Sequence, residues 1–238
     1  MELTRGTALP GIVALDRPGW SDAERLVQAL GDEVAFYKLG LELFTGEGPA
    51  VARELVGRGK RVFLDLKLHD IPNTVSGAAR AAGRLGADLL TVHAAGGPAM
   101  VRAACEGARE ASGGRTRVLA VTVLTSLFDG HLPASFPTGR PVAELVLALA
   151  EEALVAGADG LVCAGGEVGA LRRRFGEMPL LVVPGTRPMG ADAQDQARVV
   201  TPQAALEAGA NWLVVGRAVT EASDPRAAWR SFWQVAPA

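Results

Sequence analysis

Eight apolar runs alternate with helix-like stretches, and no linker rich in Ser or charge separates them. This order predicts an α/β protein whose parallel sheet closes into a (β/α)8 or TIM barrel. An internal echo points the same way. Gly86-Ala87-Asp88, Gly157-Ala158-Asp159 and Gly209-Ala210-Asn211 each end a helix and introduce a strand, with the Gly that a left-handed helix stop prefers. The alternative, an open doubly wound sheet, is expected to carry a glycine fingerprint after its first strand, and Asp16-Arg17-Pro18-Gly19 is not one. The chain of 238 residues, 49% hydrophobic, suffices for one large core, and residues 1–238 are taken as a single barrel domain.

In order, residues 11–16 form the first strand, ending in Asp16. Ser21-Asp22-Ala23-Glu24 has the spacing of a capping box at the start of a helix. Residues 35–40 form the second strand and 49–58 a helix. Residues 61–68 form the third strand, where Leu64, Leu66 and Leu68 share one face and Asp65 and Lys67 the other. Pro72 is placed to open a helix over 72–84, closed by Gly86. Strands at 88–93 and 117–123 enclose a helix at 98–110. A Pro/Gly-rich loop at 127–140 precedes a helix at 141–156, and no role is assigned to the loop from Phe128 to Arg140. The sixth and seventh strands, 160–164 and 180–183, enclose a helix at 167–175. After the loop at 184–199 come a helix at 201–208, the eighth strand at 212–216 and a last helix at 224–234.

Composition excludes several classes. A net charge of -2 with both signs dispersed gives no basic face for nucleic acid. No apolar run approaches the roughly 18 residues of a membrane span, and Met1-Glu2-Leu3-Thr4-Arg5-Gly6 lacks the pattern of a signal peptide. Cys105 and Cys163 fit no metal or redox spacing, so a reduced, cytoplasmic location is expected. Of 24 basic residues only Lys38, Lys60 and Lys67 are lysines. Lys60 falls in a polar turn and reads as surface, whereas Lys38 and Lys67 interrupt apolar strands. Lysine, unlike arginine, can give up a proton.

In this architecture the active site lies at the carboxyl ends of the strands. Asp16, Lys38, Asp65, Lys67, Asp70, His93, Thr125, Ser126 and Arg217 all fall there. A barrel salt bridge or a helix cap would account for any one of them. Five charged groups from three neighbouring strands call for chemistry, with Asp65, Lys67 and Asp70 gathered at the mouth of the third strand. Pro184-Gly185-Thr186-Arg187 and Gly216-Arg217 end the last two strands, where barrels bind phosphate through backbone N–H groups and a cation. His69, His93 and His131 make no metal set, Arg172-Arg173-Arg174 reads as a solvated helix end, and Trp229, Phe232 and Trp233 as packing for the last helix.

Asp65-x-Lys67-x-x-Asp70 followed by Ile71-Pro72-Asn73-Thr74-Val75 resembles the signature of the orotidine 5'-phosphate decarboxylase family. Asp16, Lys38, Leu124-Thr125-Ser126, Pro184-Gly185-x-Arg187, Gln196 and Gly216-Arg217 fall in that family's order over nearly the whole chain. The D-x-K-x-x-D core is shared with related sugar-phosphate enzymes; I-P-N-T and Lys38 are more specific. The resemblance implies conversion of orotidine 5'-phosphate to UMP and CO2 without metal or organic cofactor, by a homodimer. It implies a catalytic set of Lys67, Asp65, Lys38 and Asp70, with Asp70 contributed to the neighbouring site. Asp16, Lys38, Ile71, Thr74, Thr125, Pro184, Arg187, Gln196, Gly216 and Arg217 are the implied substrate contacts. Gln196 lies in the loop after the seventh strand, which would act as a lid. Two alternatives remain: a magnesium-dependent phosphosugar enzyme with the same core, and a binding module without turnover. The first uses a Glu on its second strand, where this chain has Lys38.

Overall fold

In the computed structural model, residues 9–134, 136, 139–186 and 200–234 are described. Strands β1 (Gly11–Ala14), β2 (Phe36–Leu39), β3 (Arg61–Leu68), β4 (Leu89–His93), β5 (Arg117–Val121), β6 (Gly160–Val162), β7 (Leu180–Val183) and β8 (Trp212–Val215) close in sequence order into a parallel barrel. Closure is the pairing of Gly11 with Leu213 and Ile12 with Val214. The helices are α1 (Trp20–Leu30), α2 (Leu41–Glu47), α3 (Ala50–Gly57), α4 (Pro72–Leu85), α5 (Gly97–Ser112), α6 (Val142–Val155), α7 (Val168–Phe175), α8 (Pro202–Glu207), α9 (Arg217–Thr220) and α10 (Pro225–Phe232).

Both faces of each strand are covered, which is why the strands read as continuous apolar runs rather than alternating ones. Alternation sorts the side chains into two cores. Ile12, Phe36, Phe63, Leu89 and Leu119 fill the barrel interior. Val13, Tyr37, Leu64 and Leu90 pack outward in the main helix-facing core, which Trp229 and Phe232 of α10 join as expected. At the amino-terminal end Phe36 and Trp212 meet edge to face at 5.3 Å, and the Arg61 guanidinium lies 4.1 Å from one ring centre and 5.0 Å from the other. That end is stoppered; the carboxyl end carries the open mouth.

The internal echo has a definite structural meaning. Gly86, Gly157 and Gly209 take φ of 85°, 104° and 104°, as a left-handed stop requires. The residue two positions on then clamps the preceding strand. Asp88, Asp159 and Asn211 accept the backbone N–H groups of Val62, Val118 and Leu181 at 3.0, 2.8 and 2.7 Å.

Several expectations need correction. The first helix has no Ser21 capping box: it starts at Trp20, and its N-cap is Gly19. The Trp20 N–H is satisfied instead by the Glu47 carboxylate of α2 at 2.8 Å, and α2 itself was not anticipated. Lys60 is not a surface residue. Its ammonium reaches back to the carbonyls of Gly31 and Val34 at 2.8 and 3.1 Å, stitching the α1–β2 connection. Arg172 is no solvated helix end but is engaged on every side. The loop left without a role contains Asp129, whose carboxylate accepts the Val142 N–H at 2.7 Å and so caps α6. The last correction lies in β3. Leu64 pairs with Leu90 but Leu68 with Val92, so the strand bulges between them, and Lys67 has φ 48°.

Candidate active site

The mouth of the barrel opens on a cavity of about 450 Å3. Strand alternation determines who reaches it. On β2, Tyr37 faces the helices and Lys38 the interior, and Lys38 sits in register between Ala14 of β1 and Phe63 of β3. Asp16, two residues beyond β1, continues the inward set of Ile12 and Ala14. Asp65 follows Phe63 inward, and the bulge keeps Lys67 on the same side. The result is one alternating chain of charges. Lys38 Nζ lies 2.8 Å from Asp16 Oδ1 and 3.7 Å from Asp65 Oδ2, and Lys67 Nζ lies 2.8 Å from Asp65 Oδ1.

The charges are shielded to different degrees. The Lys38 and Asp65 side chains are 9% and 13% exposed, Lys67 is 28% and Asp16 58%. Buried charge is costly unless paired, and each inner charge here has an opposite one beside it. The most accessible cation facing the cavity within the chain of charges is therefore Lys67, held on one side by Asp65.

Asp16, Lys38, Asp65, Lys67, Thr125, Pro184, Gly216 and Arg217 all line the cavity. At Gly216 a β-carbon would meet no atom within 4 Å, leaving the backbone open to a bound group. Gly216 is the N-cap of the short α9, which Arg217 opens. The Arg17 side chain donates to the Thr220 carbonyl and ties that turn to the end of β1. Arg187 and Gln196, with the expected lid, fall outside the described residues.

Asp70, Ile71 and Thr74 are exposed and do not line the cavity of their own chain. The expected gathering of Asp70 with Asp65 and Lys67 does not occur within one chain. The Asp70 carboxylate turns back to accept the Ile71 N–H at 2.6 Å. His93 is half-buried at the end of β4, its ring 5.6 Å from that of exposed His69. Burial holds the His93 imidazole below its ordinary value; His69 and Lys67 push the same way and Asp65 opposes. Among the described residues no group of three His, Cys, Asp or Glu is arranged to hold a metal ion.

Two further residues, absent from the sequence-based set, belong to this site. Gly40 leaves the space that the Asp16–Lys38 pair occupies, and Thr91 hydrogen-bonds both Asp65 and the Lys67 backbone. Strand parity could have found Thr91, which lies between Leu89 and His93 on the inward face of β4.

Residues 11–232 match the model of the orotidine 5'-phosphate decarboxylase / HUMPS family. A relative named orotidine 5'-phosphate decarboxylase from Anaeromyxobacter dehalogenans is 56% identical, over 92% of this chain and 94% of that protein. One of the same name from Moorella thermoacetica is 49% identical, over 92% and 89%. Among solved structures, orotidine 5'-phosphate decarboxylase from Lactobacillus acidophilus is 41% identical with a TM-score of 0.83, covering 94% of this chain and 96% of that one. An uncharacterized conserved protein from Geobacillus kaustophilus is 40% identical with a TM-score of 0.81, over 94% and 98%. With matches this extensive on a barrel whose mouth carries the alternating charges, the chain belongs to the orotidine 5'-phosphate decarboxylase / HUMPS family and is a carboxy-lyase.

Proposed function

We propose that the chain converts orotidine 5'-phosphate to UMP and CO2 in pyrimidine biosynthesis, without metal or organic cofactor, and that Lys67 is its proton donor. The observation that carries this is the order Asp16–Lys38–Asp65–Lys67 at the mouth of a cavity of nucleotide size. Breaking the C6–carboxylate bond leaves an electron pair in the ring plane, where the π system cannot delocalise it. The Lys67 ammonium stabilises that pair and then gives its proton to C6. CO2 departs, and the amine regains a proton from solvent. Charges fixed in advance need no reorganisation at the moment of bond breaking, which is the most effective form of electrostatic catalysis.

Asp65 and Lys38 hold the ammonium in place, and Lys38 with Asp16 also reaches the ribose. Thr125 contacts the pyrimidine edge; Gly216, Arg217 and Pro184, with Arg187 and Gln196, take the phosphate end. Binding energy gathered there, far from C6, can be used to hold the reacting carboxylate where it is least stable. Asp70, Ile71 and Thr74 serve the neighbouring site in a homodimer, the partner subunit's Asp70 lying near the departing carboxylate. Asp70 and Ile71 follow β3, are exposed and do not line the cavity of their own chain, which supports that assignment. The chain acts as a single barrel domain in the cytoplasm, and none of its described helices is long and apolar enough to cross a membrane.

Magnesium-dependent chemistry of related phosphosugar enzymes is disfavoured by a specific observation. The Lys38 ammonium stands on the second strand, where those enzymes use a Glu, and lies between Asp16 and Asp65, so a cation of the chain itself already fills the space between the carboxylates. The test follows the loss of orotidine 5'-phosphate absorbance. Wild type should turn over equally with and without EDTA, and Lys67→Ala should lose at least about 10²-fold in kcat, as for a missing general acid. Near-normal turnover by Lys67→Ala would remove that residue from the role, and loss of wild-type activity in EDTA would favour the metal enzyme.

A further inference from the structure

The bulge in β3 sets Asp65, Leu66 and Lys67 against one residue of β4, since Leu64 pairs with Leu90 and Leu68 with Val92. That residue is Thr91. A bulge leaves ladder groups without their regular partners, and buried N–H groups need a replacement. Thr91 is 0% exposed, and its hydroxyl supplies one. Oγ1 accepts the Lys67 backbone N–H at 2.9 Å and donates to Asp65 Oδ1 at 2.9 Å. The direction of the second bond is fixed, because an ionised carboxylate only accepts.

Asp65 Oδ1 is also the atom that receives the Lys67 ammonium at 2.8 Å. Hydroxyl, carboxylate, ammonium and amide therefore close one ring around Lys67. Lys67 is also the one non-glycine residue with positive φ among the described residues. A lysine keeps that backbone only where its surroundings over-determine it. Thr91 holds the ring at both ends, the backbone turn on one side and the carboxylate on the other.

We propose that Thr91 is a positioning residue: it does not line the cavity but aims the Lys67 ammonium through Asp65 and the strained turn. This rests on the role given above to Lys67. A hydroxyl that only satisfied the bulge would matter for folding and leave the chemical step alone.

The experiment compares Thr91→Val, which keeps the shape and removes the hydroxyl, with Thr91→Ser, which keeps the hydroxyl, alongside Lys67→Ala. The readouts are kcat, KM, UMP affinity and melting temperature. Thr91→Val should lose about 10²-fold in kcat, as a misplaced reacting group does, while UMP affinity holds. Thr91→Ser should recover most of the loss. Should Thr91→Val fail to fold, Thr91→Ala against Thr91→Ser makes the same comparison, since those two differ only in the hydroxyl. Full kcat in the hydroxyl-free variant overturns the proposal, and so does equal loss in the Ser variant or a loss of UMP affinity in step with kcat. If Lys67→Ala itself retains turnover, the mechanism fails first. If Lys67→Ala is inactive and Thr91→Val is not impaired, the Thr91 proposal alone fails.

Discussion

At Gly40 a methyl group would sit 2.7 Å from Asp16 Oδ1 and 2.9 Å from Lys38 Nζ. Its backbone, φ -87° and ψ -179°, is one that any residue adopts, so the glycine is there for space rather than for conformation. The atoms it would strike are the ends of side chains, which can yield without disturbing the core. Gly40→Ala should therefore leave the melting temperature almost unchanged while prising the Asp16–Lys38 pair apart. The expected loss in kcat/KM is about 10- to 100-fold, the scale on which small misplacements of reacting groups act. Steady-state kinetics beside a thermal melt decides it: a large drop in melting temperature with kcat/KM intact would contradict the account. Gly40 could not be singled out from sequence, because its importance comes from an aspartate on another strand. Asp65 and Lys67 could, since a two-residue spacing in a strand already puts them on one face.

Helix α7 ends in three arginines, and its neighbours show why a local run of charge misleads. The Arg172 side chain is 8% exposed. Its Nε donates to the Gly209 carbonyl at 2.9 Å, Nη1 to Gly176 and Pro179 at 2.9 Å each, and Nη2 to Asn211 Oδ1 at 2.7 Å. One guanidinium thus joins the end of α7 to the entries of β7 and β8, the strands whose far ends carry Pro184 and Gly216. Arg172→Ala abandons those acceptors. Hydrogen bonds to a charged group are worth about 1.5–3 kcal/mol each and are not additive, so a total near 3 kcal/mol is expected. For a chain of this size that lowers the melting temperature by roughly 6–12 °C, and calorimetry would measure it. Arg172→Lys should recover less than half, because an ammonium cannot present a planar fork. A shift in Arg172→Ala no larger than that of Arg173→Ala would refute the assignment. The same lesson holds for Ser21 and Lys60: a capping-box spacing and a polar turn are local signals, and distant partners, Glu47 and the carbonyls of Gly31 and Val34, overrode them.

At the scale of the molecule, the order of strands and their closure were legible because each βα unit announces itself locally and parallel neighbours follow chain order. The β3 bulge was not, since it depends on how many residues β4 offers opposite. Nor was the exposure of Asp70 outside its own chain's cavity, on which the proposed homodimer draws. Ile71 is 66% exposed and Leu41 55%, and Leu124 and Phe128 are 39% each; all four follow carboxyl ends of strands and so lie around the open mouth. Exposed apolar side chains around a site are what a second copy would cover. If each site of a homodimer combines Lys67 of one subunit with the partner subunit's Asp70, two inactive variants should rescue each other. Mixing Lys67→Ala with Asp70→Ala under conditions that let subunits exchange gives heterodimers in half the pairs. Each heterodimer holds one site carrying both defects and one site carrying neither. Activity should then rise toward roughly a quarter of wild type, as a two-fold interface dictates. A site built within one chain gives the opposite result: every site keeps a defect, and the mixture stays at the average of its two inactive components however long exchange is allowed.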